Sequence, residues 1–129
     1  MTPGALASSG RSVSGRPAID RAVLGEWLDG DGAAINALLV LFYESICAEV
    51  VCMRDWLAQD ELVQFANAAH RLRGAALSMG ACALADVAGP LFTAALAKDR
   101  NACVAGMPVL ATHVQLVEAE IRASASSGT

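Results

Sequence analysis

The chain has 129 residues, 55% of them apolar, 17% charged and 5% aromatic, which suits one domain with a real core and excludes wholesale disorder. Its net charge of −4 and isoelectric point near 5.0 leave no basic surplus to neutralise phosphates, so a nucleic-acid partner is not expected.

Residues Met1 to about Pro17 are rich in Gly, Ser and Ala and lack a periodic apolar pattern, which predicts a flexible N-terminal tail. From there the apolar residues recur at three- and four-residue steps, the period of helices and not of strands. A short helix is expected from about Ile19 to Leu28, broken by Asp29-Gly30-Asp31-Gly32, with Asp31 as the N-cap of a second helix. That second helix, about Ala33 to Ala58, carries the stripe Ile35, Leu38, Leu39, Phe42, Ile46, Val50, Met53 and Leu57. It also has Val40, Tyr43, Cys47 and Val51 outside that stripe, available to a neighbouring helix or to a partner surface.

Asp60 is expected to cap a helix from Glu61 to about Met79, and Gly80 ends it. A further helix from about Ala81 to Ala97 shows Leu84, Val87, Ala88, Leu91 and Ala95, with Lys98 and Arg100 suited to its C-terminal dipole. Asn101 is expected to cap the last helix, which carries Val104, Met107, Leu110, Val114, Val117 and Ile121; residues 124–129 should fray. Pro90 and Pro108 fall inside these helices and should kink or locally break them. Short connections predict antiparallel neighbours. The expected fold is all-α: an antiparallel up-down-up-down four-helix bundle over 18–123, with an extra short N-terminal helix and a flexible tail at each end (1–17 and 124–129).

A mean hydropathy of +0.46 raises the question of a membrane span. The stretch from Ala81 to Ala97 contains Asp86 and Gly89-Pro90 and falls short of the ~20 residues a span needs. The run from Ala33 to Phe42 is shorter and holds Asn36. Both read as buried helix faces, so no membrane association is expected. The start of the chain shows no apolar segment behind a basic one, and a cytoplasmic location is expected. Cys47, Cys52, Cys82 and Cys103 form no C-x-x-C pair and sit in apolar stretches, where a reduced thiol acts as a small hydrophobe. No metal site is expected from them.

The most informative segment is His70 to Leu84, H-R-L-R-G-A-A-L-S-M-G-A-C-A-L. On a helical wheel Phe65, Ala69, Leu72, Ala76 and Met79 form the core stripe, and His70 points about 160° away from Leu72, toward solvent. Arg73 and Gly74 follow at i+3 and i+4 on the same face, and Val63, Ala66, Asn67 and Leu77 complete it. An exposed imidazole, neutral in part near pH 7, can attack a phosphoryl donor. A guanidinium one turn on can bind the transferred oxygens. A glycine beside the imidazole leaves room for another protein's active site. Gly74 costs about 1 kcal/mol against Ala in a helix interior, so it asks for such a reason.

This segment resembles the histidine-containing phosphotransfer (HPt) domain of multistep two-component phosphorelays, whose motif runs approximately H-x-L-K-G, a small pair, then G-A and Leu. His70, Leu72, Arg73, Gly74, Ala75, Ala76, Gly80, Ala81 and Leu84 stand at that spacing, and Phe42, the run to Leu57 and Asp60 resemble the usual lead-in. The chain departs from the pattern at Arg73, usually Lys, at Ala75, often Ser, and at Phe92, often acidic. The resemblance implies a phosphocarrier without an ATP site of its own. His70 would accept a phosphoryl group from a receiver-domain aspartate and pass it to another, Arg73 would stabilise it, and Gly74 would give clearance. The implied partners are receiver domains of hybrid histidine kinases and response regulators, met by Val63, Ala66, Asn67 and Leu77. No cofactor is implied. The alternative is a docking module of the same fold that carries no phosphoryl group. His113 lacks the Arg-Gly companions of His70 and reads as structural.

Overall fold

The computed structural model describes Ile19 and residues 32–127. These hold four helices and, among the described residues, no strand: α1 Gly32–Ala58, α2 Leu62–Ser78, α3 Cys82–Leu96 and α4 Arg100–Ser127. Apart from Ile19, the expected first helix lies outside the described residues, as do Asp31 and the tail 1–17. Ile19 is buried, and its backbone N–H donates to Glu120 Oε1 at 3.3 Å. The backbone of α4 stays helical through Ser127, beyond the point at which fraying is expected.

Each helix packs on its chain neighbours, and α4 returns to α1, closing the bundle around one core. The α1 stripe is buried at Ile35, Leu39, Ile46, Val50, Met53 and Leu57, with Leu38 and Phe42 half-buried against it. Leu110, Val114, Val117 and Ile121 of α4 enter the core as the period requires. Val104 does not: it is exposed, and Cys103, one residue earlier, is fully buried in its place. Burial pushes the Cys103 thiol up from its ordinary value, as suits an inert core residue. Alanines fill much of the remaining core, at Ala66, Ala68, Ala69 and Ala76 of α2 and Ala83, Ala85, Ala88 and Ala95 of α3.

The three connections repeat one backbone device. At the end of α1 the N–H of Asp60 donates to Leu57 O and that of Glu61 to Trp56 O. At the end of α2 Gly80 donates to Leu77 O and Ala81 to Ala76 O; at the end of α3 Lys98 donates to Ala95 O and Asp99 to Ala94 O. Each pair is a Schellman closure, which needs a left-handed residue just past the helix. Asp60, Gly80 and Lys98 take that role, with φ of 60°, 77° and 58°.

This geometry corrects two expected caps. Asp60 occupies the left-handed position and Glu61 stands at the N-cap of α2 without a side-chain hydrogen bond. At α4 the cap is Asp99 and not Asn101: Asp99 Oδ1 accepts from the Ala102 N–H at 3.1 Å. Closing a helix by this motif places the next N-cap two or three residues on, a constraint that local side-chain preference does not reveal. The prolines break nothing, since α3 and α4 run continuously through Pro90 and Pro108. Both face solvent, where water can satisfy the carbonyl that loses its donor.

By length and composition α1 and residues 100–123 of α4 could each cross a membrane, which the two shorter stretches weighed from sequence did not reveal. Here the buried stripes of both helices line the bundle core, while Val40, Leu41, Val51, Val104 and Val109 remain exposed.

Of the three left-handed residues, Lys98 is the non-glycine without an ion pair among the described residues, whereas Asp60 pairs with Arg100 at 3.3 Å. An L-residue in this region costs about 1–2 kcal/mol, offset in glycine by its larger unfolded-state entropy. Lys98→Gly should therefore stabilise the bundle by about 0.5–1 kcal/mol, read as a higher denaturation midpoint at unchanged slope in urea.

Candidate functional site

Helix α2 buries Phe65, Ala66, Ala68, Ala69, Leu72 and Ala76 and turns the opposite side to solvent. On that side stand Val63, Asn67, His70, Gly74 and Leu77, all exposed. Their steps of four, three, four and three keep them in one stripe along the helix. Val63 and Leu77, 67% and 41% exposed, flank His70 two turns away on either side. Ala66 is the exception to the expected face. It is 1% exposed and belongs to the core. The wheel sets it about 40° from His70, so the pattern along α2 does not reveal its burial.

His70 projects from the middle of the stripe. Among the described residues it makes no hydrogen bond, so neither ring nitrogen is committed. Its ring lies against Phe92 of α3, with centroids 5.2 Å apart and planes tilted by 39°. Phe92 is half-buried and packs against the core from its other side. The sequence marked Phe92 only as a departure from an acidic pattern; its contact with His70 depends on how α2 and α3 meet, and no local signal carried it.

Two arginines adjoin His70, and the structure separates their roles. Arg71 reaches back to α1, where Nε donates to Glu49 Oε2 at 3.0 Å and Nη2 to Glu49 Oε1 at 3.3 Å. That pairing holds the Arg71 guanidinium above its ordinary pKa. Arg73 lies on the α3 side and, among the described residues, makes no hydrogen bond or ion pair. Its stem crosses α3 at Gly89, where an added Cβ would sit 3.7 Å from Arg73 Cδ and 3.6 Å from Nε. The uncommitted cation is thus one helical turn from the uncommitted imidazole.

Gly74 has nothing within 4 Å of the place a Cβ would occupy. Packing inside the chain gives no reason for a glycine there. Gly106 of α4 is the contrast, since a Cβ would run into Leu91 Cδ2, on the buried residue beside Phe92. His113 is also different from His70. Its Nδ1 donates to Val109 O at 3.0 Å, which agrees with a structural role. Among the described residues no group of three or more His, Cys, Asp or Glu side chains could hold a metal ion. The four cysteines are free.

Gly74→Ala should raise stability by up to about 1 kcal/mol, because it gains helix propensity and meets no atom. Gly106→Ala should lower it, since overpacking a core costs about 1–3 kcal/mol and outweighs the same gain. Opposite shifts of the thermal midpoint are the expected result.

An exposed imidazole with free nitrogens, a free guanidinium one turn on and an open glycine next to both can take up and hold a small anionic group. The comparisons with known proteins agree with this chemistry. The sequence model of the Hpt domain family matches residues 37–125, from within α1 to near the end of α4. No curated protein and no solved structure matches the chain. The match covers most of the chain and all of the site helix, and the chain therefore belongs to the Hpt domain family, the phosphocarrier modules of two-component phosphorelays.

Proposed function

We propose that His70 accepts a phosphoryl group from the aspartyl phosphate of one receiver domain and passes it to the aspartate of another. The observation that carries this reading is the uncommitted state of His70 beside an uncommitted Arg73, on the exposed side of an otherwise buried helix. In the forward step a neutral ring nitrogen attacks phosphorus. The P–N bond forms as the acyl-phosphate P–O bond breaks, and the donor aspartate leaves as a carboxylate. The onward step is the reverse, on a second aspartate.

The phosphoryl group brings roughly −1.5 to −2 charges to the ring at pH 7, which Arg73 offsets through charge-assisted hydrogen bonds. Gly74 lets the receiver's active site approach the imidazole closely. Val63, Asn67 and Leu77 give the receiver an exposed strip on either side. Positioning and charge stabilisation supply most of the catalysis of phosphoryl transfer, so the remaining groups can come from the receiver. The phosphoryl source is a protein and not ATP.

We propose further that the bundle runs up-down-up-down with antiparallel neighbours. Three supporting pairs are Glu49 with Arg71, His70 with Phe92, and Leu91 with Gly106. In each, the two residues lie about equally far before and after a connection, as a helical hairpin requires. The fourth pair, Leu57 with Arg100, brings the end of α1 to the start of α4. The proposed setting is the cytoplasm, where free thiols persist.

With a phosphorylated receiver the protein should take up label that is acid-labile and base-stable, and surrender it to a second receiver. With ATP alone it should stay unlabelled. His70→Gln should abolish uptake and His113→Gln should leave it intact. Arg73→Ala should slow transfer on the order of tenfold, the worth of one charge-assisted hydrogen bond. Gly74→Leu should impair transfer with stability unchanged or raised. Labelling of a folded His70→Gln protein would overturn the assignment.

A further inference from the structure

Helix α3 carries no histidine, yet it touches both His70 and Arg73. His70 and Arg73 stand one turn apart on α2. Opposite them Phe92 and Gly89 stand one turn apart on α3. The imidazole rests on the Phe92 ring, and the Arg73 stem lies beside Gly89. Phe92 itself is held from behind, because it packs on the core while its neighbour Leu91 is buried against Gly106 of α4.

An exposed histidine on a helix has no other reason to keep one rotamer. On a helix χ1 keeps about two common wells and χ2 is roughly twofold, so free rotation offers about four orientations. A flat aromatic face at 5.2 Å removes several of them. It constrains the ring without a hydrogen bond, so both nitrogens remain open for chemistry.

We propose that Phe92 is a positioning residue, which aims the His70 imidazole outward at the incoming phosphorus and sets the rate of phosphoryl uptake. This rests on the reading of His70 as the phosphoacceptor.

The test needs no receiver. Phosphoramidate is a small phosphoryl donor: an imidazole nitrogen attacks its phosphorus, the P–N bond to the amino group breaks, and ammonia leaves with the proton. The full chain is compared with Phe92→Leu, which keeps apolar bulk against the core, and with Phe92→Tyr, which keeps the ring. The labelling rate of His70 should fall about two- to fourfold in Phe92→Leu, up to the number of orientations released, and return to near the wild-type rate in Phe92→Tyr. The His70 ring protons should carry an aromatic ring-current shift in wild type and Phe92→Tyr and lose it in Phe92→Leu. Circular dichroism and thermal melts confirm that the variants are folded. Equal labelling rates in wild type and Phe92→Leu would overturn the proposal, as would a His70 ring-proton shift indifferent to the substitution. Labelling of His70→Gln at the wild-type rate would instead overturn the phosphoacceptor assignment, and the two failures are thereby distinguishable.

Discussion

The seam between α2 and α3 is the contact on which the site depends. It is the most extensive helix–helix contact among the described residues, and both helices bury alanines in the core. Small side chains at a helix contact shorten the distance between axes, toward the low end of the usual ~8–10 Å. With the backbones held close, residues at the edges of the seam touch across it. His70 meets Phe92 and Arg73 crosses Gly89 for this reason. Bulky residues in place of Ala66 or Ala88 would spread the helices and take the platform away from the imidazole.

Electrostatics on the site helix divides along the same line. Arg71, on the α1 side, is committed to Glu49 and helps fix the roll of α2. Arg73, on the α3 side, keeps its donors. A surface pair such as Arg71–Glu49 is worth little as stability, with one partner 55% exposed. Its consequence here is geometric, because it settles which arginine remains available to an anion. Gly74 has a similar logic. The fold would be better served by alanine, since nothing in the chain approaches the place its Cβ would take.

The repeated closure at the ends of α1, α2 and α3 supplies the rest of the scaffold. Identical turns give each connection the same length and hydrogen bonds, although the residue in the left-handed position changes from Asp60 to Gly80 to Lys98. The backbone hydrogen bonds, and not a shared residue type, carry the motif. Only Gly80 advertises it in the sequence. Asp60 and Asn101 read as caps and neither acts as one; Asp99 caps α4 instead.

The sequence by itself determined the helical class, the core stripes and the motif of the family from His70 to Leu84, because these depend on spacing within one element. A period of 3.6 residues assigns Ile35, Leu39 and Ile46 to one face of α1 and sets His70 opposite Leu72 with no knowledge of neighbours. Ala66 and Phe92 were decided only by the tertiary structure. Ala66 shares the wheel arc of His70 yet is covered, and Phe92 lies far from His70 in the chain yet touches it. Each depends on the roll and separation of two helices, quantities fixed by how side chains interlock across a contact and not by the pattern along either one.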